Sequence, residues 1–261
     1  ILAKIEPRAS GKNLKLCVVQ VGANEVSRKY IAEKQKAAEK LGIVFSLFEV
    51  EEAVTQEELE RKVQELADDK TCSGIVVQLP LPPHINTPNV LDRIPVEKDV
   101  DVLSTKSFEL FKHGKLGILP PTVAAISKLL EASGVSLGEK QVVIVGKGRL
   151  VGLPLSVWFL QKGITPIVAD KSTLNIGEVT KIADILISAT GKAGLIKGDM
   201  VKEGAIVIDA GTSVEGGNTK GDVDFESVSE KAAFVTPVPG GVGPLTVACL
   251  LDNLVTLWKQ S

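Results

Sequence analysis

The stretch V-V-I-V-G-K-G-R-L-V-G-L-P at 142–154 narrows the possible folds of this chain more than any other segment. An apolar run, Val142 to Val145, stops at a group of glycines, and a helix-compatible segment, Leu155 to Gln161, follows. Strand, glycine turn and helix in that order form the corner of an open α/β sheet whose backbone N–H groups face a pyrophosphate. Gly146 and Gly148 occupy the first two glycine positions of G-x-G-x-x-G, while Gly152 comes one residue late and Val151 holds the third position. Paired glycines at such a turn can also serve packing alone, so the loop by itself is open to either reading. A second apolar run, Thr165 to Ala169, ends in Asp170, 24 residues after Gly146. An acid there can accept from the ribose hydroxyls of a dinucleotide, or it can simply cap a strand end or a helix start.

Around this loop, strand and helix patterns alternate. Strands are expected at 16–21, 44–50, 74–78, 142–145, 165–169, 184–188, 206–211 and 234–236. Helices are expected at 25–41, 56–69, 88–94, 122–133, 153–161 and 175–181, with a closing helix near 245–259 after the Pro/Gly-rich loop at 237–244. Residues 99–117 read as irregular. Alternating βα units imply mostly parallel sheets. The expected architecture is α/β with two lobes and a cleft between them: residues 1–120 plus 242–261 as a catalytic lobe, and 121–241 as a Rossmann-like, doubly wound dinucleotide-binding lobe.

A length of 261 residues accommodates two such cores, and a net charge of −2 with interspersed signs argues against a nucleic-acid partner. No apolar run reaches the length of a membrane span. The three cysteines, Cys17, Cys72 and Cys249, lie in apolar surroundings and read as buried thiols in a reducing cytoplasm. Two histidines, His84 and His113, give no basis for a histidine metal site. With no initiator Met, the sequence is expected to be less than the whole gene product, its first helix lacking its beginning.

In the first lobe Ser27, Tyr30 and Lys34 fall at i, i+3 and i+7 of one helix, and Tyr30 and Lys34 are close enough to touch. A lysine whose pKa is lowered in an apolar pocket can move protons near neutral pH. An ordinary amphipathic helix with a surface lysine fits the same spacing. Gln78 ends a buried strand, where open α/β sheets present ligand-binding groups, or where a turn needs a cap. Asp99 and Asp101 would share one side of an extended segment; a solvated loop is the plainer alternative. Pro239, Gly240, Gly241 and Gly243 bring backbone close to a ligand plane or to another strand.

Taken together, the segments resemble the bifunctional methylenetetrahydrofolate dehydrogenase/cyclohydrolase family. The matching blocks are V-G-A-N-E-V-S-R-K-Y-I-A-E-K-Q-K-A-A (21–38), G-I-V-V-Q-L-P-L-P (74–82), E-K-D-V-D (97–101), A-D-I-L-I-S-A-T-G (183–191), G-A-I-V-I-D-A-G (204–211) and T-P-V-P-G-G-V-G-P-L-T-V-A (236–248). The resemblance implies hydride transfer from 5,10-methylenetetrahydrofolate to NADP, with NAD a close alternative, and then hydrolysis of the methenyl cation to 10-formyltetrahydrofolate. It makes Lys34 the central catalytic residue, with Tyr30 packing on the folate and Gln78 holding the lysine's protonation state. Ser27, Asp101 and the Pro239–Gly240–Gly241 loop become folate-binding. Thr122, Gly146, Lys147, Gly148, Arg149, Val151, Gly152, Asp170, Lys171, Thr190 and Gly191 become cofactor-binding, and no metal is implied. A homodimer through the second lobe and a place in one-carbon metabolism feeding purine synthesis also follow from the resemblance.

Three departures stand out. The family has Gly after D-V-D where this chain has Val102, whose side chain is expected to crowd the pterin edge. It has P-C-T-P where this chain reads Pro120-Pro121-Thr122-Val123. It has Arg-Ser, which helps hold the 2′-phosphate of NADP, where this chain has Lys147-Gly148. Asp170 would repel that phosphate, whereas Lys147, Arg149 and Lys171 could bind it. Competing readings are a two-lobed dehydrogenase of another small substrate, a cyclohydrolase without the redox step, and a non-catalytic binder.

Overall fold

The computed structural model describes residues 1–22 and 25–258. Ala23 and Asn24 of the V-G-A-N-E block, and the expected helix end at Lys259, lie outside the described residues. The chain divides into two compact units, Ile1–Pro121 with Val247–Ser261, and Thr122–Thr246.

The first unit runs α1 (Leu2–Ala9), β1 (Lys15–Val21), α2 (Glu25–Lys40), β2 (Val44–Val50), α3 (Gln56–Asp68), β3 (Gly74–Val77), α4 (Thr87–Leu91) and α5 (Thr105–Lys112). Its three strands are parallel in the order β2-β1-β3. β1 is central because its run L-C-V-V-Q-V is buried throughout, as a strand covered on both faces must be. α3 begins at a reciprocal capping box between Thr55 and Glu58 and buries the stripe Leu59, Val63, Leu66. α5 corrects the reading of 99–117 as irregular. Ser104 caps it by accepting from the Ser107 N–H, and only Ser107 and Phe111 are buried, too few to mark a helical stripe in the sequence.

The second unit contains α6 (Pro121–Ala132), β4 (Val142–Val145), α7 (Gly152–Gln161), β5 (Ile167–Ala169), α8 (Ile176–Thr180), β6 (Ile185–Ser188), β7 (Ile206–Asp209), β8 (Ser213–Glu215), β9 (Asn218–Lys220), α9 (Phe225–Ser229) and β10 (Phe234–Val235). α10 (Val242–Trp258) starts in this unit and ends in the first. Five parallel strands take the order β10-β7-β6-β4-β5, so the chain steps from β4 to one side and then crosses to β6 on the other. That reversal is the switch point at which doubly wound sheets open a ligand crevice beyond the strand ends.

Three details depart from the sequence reading. β8 and β9 form an unanticipated antiparallel hairpin around Gly216 and Gly217, both at positive φ. α10 begins at Val242, so the Pro/Gly loop is shorter than 237–244. β5 is an edge strand whose Ile167 and Val168 are exposed, and Thr165 and Pro166 precede it. No helix among the described residues is long and apolar enough to cross a membrane.

Candidate active site

Ser27, Ile31, Lys34 and Ala38 form the buried stripe of α2, so a lysine occupies a position that the helix turns toward the interior. The lysine is 9% exposed and its Nζ donates to Gln78 Oε1 at 2.8 Å. Gln78 follows β3 directly: its N–H extends the sheet by donating to the Val19 carbonyl at 2.8 Å, and its Nε2 donates to the Leu79 carbonyl at 3.0 Å. The amide thus turns its oxygen to Lys34. Burial pulls the Lys34 pKa below its ordinary value, and the negative charge of Asp101 opposes that shift. Tyr30 lies half-buried one turn earlier on the same helix.

The two carboxylates of D-V-D do not act together. Asp99 bridges to Ile75 beside β3 and turns its carboxylate back onto the chain, accepting from the N–H groups of Leu103 at 3.1 Å and Ser104 at 2.8 Å. Asp101 alone is coupled electrically to Lys34. Part of its surface reaches solvent, yet surrounding protein pushes its pKa up to about 6, with Lys34 opposing and Asp99 adding to the rise. Directly after Asp101, Val102 sits at φ +58°, a left-handed conformation that glycine adopts freely and a β-branched residue does not. Its side chain is 1% exposed and leaves almost no surface with which to crowd a pterin, which corrects the expectation from the sequence.

Sequence reasoning missed Asn253. From the apolar α10 its Nδ2 donates to the carbonyls of Val100, at 2.9 Å, and Leu119, at 2.8 Å, which pins the D-V-D turn from behind. A Cβ at Gly74 would lie 2.5 Å from Leu254 Cδ1 and 2.7 Å from Val100 Cγ1, so β3, this turn and α10 meet closely there. An asparagine next to Leu254 and Val255 in a largely apolar helix was the available signal.

In the second unit the three glycines of the loop have separable reasons. A Cβ on Gly146, at φ +103°, would collide with the Ala189 carbonyl at the end of β6. A Cβ on Gly152 would collide with the Gly146 carbonyl, so the late glycine is the one that seats α7 against the loop. Gly148 meets nothing within 4 Å, so the fold does not demand it; a bare backbone there suits close approach of a phosphate. The bare backbone at Gly148 would let a dinucleotide's pyrophosphate approach the loop. Val151 precedes α7, and its N–H donates to the Gly148 carbonyl at 3.3 Å. Lys147 in the loop forms an ion pair with Asp170 at the end of β5; Arg149 and Lys171 flank this pair in sequence.

Thr190 and Gly191 follow β6, across the switch point from Gly146. Asp222, fully buried and unforeseen from the sequence, shapes their turn by accepting from the Thr190 N–H at 2.6 Å, the Lys192 N–H at 2.9 Å and the Ser188 hydroxyl at 2.7 Å. Thr122 lies in the first turn of α6. Pro239, Gly240 and Gly241 belong to the second unit, between β10 and α10. Gly240 has φ +110°, and a Cβ on Gly241 would lie 2.6 Å from the Pro237 carbonyl.

A doubly wound unit with a glycine loop, in one chain with a unit that buries a lysine at a strand end, defines a two-domain α/β enzyme of the dinucleotide-dependent class. Two family models match the chain: tetrahydrofolate dehydrogenase/cyclohydrolase, catalytic domain, over residues 1–101, and tetrahydrofolate dehydrogenase/cyclohydrolase, NAD(P)-binding domain, over residues 120–261. The bifunctional protein FolD of Lactobacillus delbrueckii subsp. bulgaricus is 42% identical over 250 residues, covering 96% of this chain and 88% of that protein. The crystal structure of FolD from Campylobacter jejuni superposes with a TM-score of 0.92 at 40% identity, covering 99% of this chain and 93% of that one. FolD of Trypanosoma brucei, solved with NADP and an inhibitor, gives a TM-score of 0.92 at 38% identity over 99% of this chain and 91% of that one. The chain belongs to the tetrahydrofolate dehydrogenase/cyclohydrolase family and is an enzyme with a NAD(P)-binding domain.

Proposed function

We propose that this enzyme oxidises 5,10-methylenetetrahydrofolate to the 5,10-methenyl cation and hydrolyses that cation to 10-formyltetrahydrofolate. The observation that carries the reading is the buried Lys34 held by Gln78 at 2.8 Å. When bound, NAD(P) accepts the hydride; the residues of the first unit do the rest. A cationic substrate disfavours a second positive charge beside it, and burial lowers the Lys34 pKa; both act toward a neutral amine beside the methenyl cation. Water then adds to the cationic carbon while Lys34 takes one of its protons. The second proton goes to N5 of the folate as the C–N5 bond breaks, which leaves the formyl group on N10. Gln78 aims the Nζ lone pair by accepting from the amine, and Tyr30 packs against the folate ring. Ser27 lines the same face of α2, and Asp101, when ionised, accepts from the pterin amino and ring N–H groups.

The protein acts as a homodimer joined through the second unit. Support comes from the open edge of β5, where Ile167 and Val168 are exposed, and from Leu160 and Leu153 of α7, 55% and 45% exposed. A reducing cytoplasm suits its three buried cysteines.

The test is a coupled absorbance assay with 5,10-methylenetetrahydrofolate and each nicotinamide cofactor. Reduced cofactor together with decay of supplied methenyl-folate is the expected result. Decay without reduction would restrict the enzyme to the hydrolytic step, and neither signal would defeat the reading.

A further inference from the structure

The D-K-S-T turn after β5 fixes one carboxylate with unusual thoroughness. Asp170 donates its backbone N–H to Thr173 Oγ1 at 2.9 Å and accepts at its carbonyl from the Thr173 N–H at 2.9 Å. Its Oδ1 accepts from the Ser172 N–H at 2.8 Å and the Ser172 hydroxyl at 2.5 Å, and Oδ2 pairs with Lys147. β5 adjoins β4 at the edge of the sheet, so this acid stands beside the glycine loop, at the end of the second strand of the doubly wound unit. We infer that Asp170 makes this enzyme select NAD over NADP, by accepting from the adenosine ribose hydroxyls and excluding a 2′-phosphate. The inference rests on the dehydrogenase reading above and names its cofactor.

Three features carry it. A clamped turn cannot swing its carboxylate aside to admit a phosphate dianion. Lys147 is matched one for one by Asp170, so the pair presents a neutral patch suited to a diol. Gly148 removes the neighbouring hydroxyl donor. Arg149 and Lys171 flank the pair in sequence, and any pull they exert on a 2′-phosphate works against the fixed charge of Asp170. Lys147 and the two Ser172 donors also hold the Asp170 pKa well below the usual carboxylate range, so the acid stays charged throughout the physiological range.

The experiment is calorimetric binding of 5′-AMP and 2′,5′-ADP, then of NAD and NADP, to the full-length enzyme and to Asp170→Asn. The wild type is expected to bind the 2′-phosphorylated member of each pair at least tenfold more weakly. Asp170→Asn is expected to narrow that ratio at least tenfold by tightening the phosphorylated ligands. Equal or tighter binding of 2′,5′-ADP and NADP by the wild type would overturn the inference, with no variant needed. So would a wild-type preference that Asp170→Asn leaves within threefold of its starting value. Should that variant fail to fold, Lys147→Gln serves in its place: it leaves the acid uncompensated and is expected to weaken 2′,5′-ADP further while 5′-AMP changes less than threefold. A large loss of 5′-AMP binding in Lys147→Gln would refute the neutral-pair account. Turnover with neither cofactor would instead defeat the dehydrogenase reading, whereas better turnover with NADP than NAD defeats only the selection by Asp170.

Discussion

Val102 offers a test in which the usual order of two substitutions should disappear. The residue is buried at φ +58° in a turn closed by the Asp99 carboxylate. Truncation to Ala removes two methyl groups, about 1.6 kcal/mol at ~0.8 kcal/mol each, less whatever β-branch strain is relieved. At an ordinary buried site, going on from Ala to Gly costs about 0.8 kcal/mol for the methyl and roughly 0.5–1 kcal/mol of backbone entropy, which places Gly about 1.5 kcal/mol below Ala. Here the left-handed conformation penalises any residue with a Cβ by roughly 1–2 kcal/mol, and Gly alone escapes it. Val102→Ala and Val102→Gly are therefore expected to lie within about 0.5 kcal/mol of each other, or with Gly ahead. The assay is urea unfolding followed through Trp258, which ends α10 in the first unit, in a Trp158→Phe background that silences the other tryptophan. Equal m-values would license reading the midpoints as stabilities. A Gly variant about 1.5 kcal/mol below Ala, the ordinary order, would refute the strain argument.

Lys34→Met, which keeps the length and apolar stem, is expected to lower methenyl-folate hydrolysis by about 10²–10⁴-fold, as removal of a general base does; near-normal decay in a stopped absorbance trace would remove Lys34 from the mechanism. Asp101 must be ionised to accept from the pterin N–H groups, and its pKa of about 6 is raised, so the folate KM should climb as pH falls from 7 to 5. Asp101→Asn should raise KM at pH 7 and flatten that profile; an unchanged slope would mean that another group titrates. Asn253→Ala strips two donors from the carbonyls of Val100 and Leu119, and should cost about 1–3 kcal/mol in unfolding and raise the folate KM, while the affinity of the second unit for NAD(P) is kept.

What could be read in advance follows from the distance over which each signal acts. The strands at β2 and β4, the glycine loop and the acid after β5 are written in adjacent residues, and sequence periodicity finds them. α5 escaped because two buried side chains make no stripe, and the hairpin at 213–220 because its strands are three residues each. The site itself is more instructive. Lys34 occupies a core position in the pattern 27, 31, 34, 38, so its burial was readable as a charged residue inside an apolar stripe. Its partner came from the family resemblance and not from spacing, because Gln78 is 44 residues away and reaches it only through the pairing of β1 with β3. Asp99 and Asp101 mark the same limit. Alternation assigned them one face, but the turn after the Ile75–Asp99 bridge sends one carboxylate to backbone donors and leaves the other for Lys34. A local pattern can thus show which residue is out of place in its own helix or strand. The charge that answers it is set by sheet register, and that register is why Asp101, and not its neighbour two residues earlier, is the acid whose titration the folate should feel.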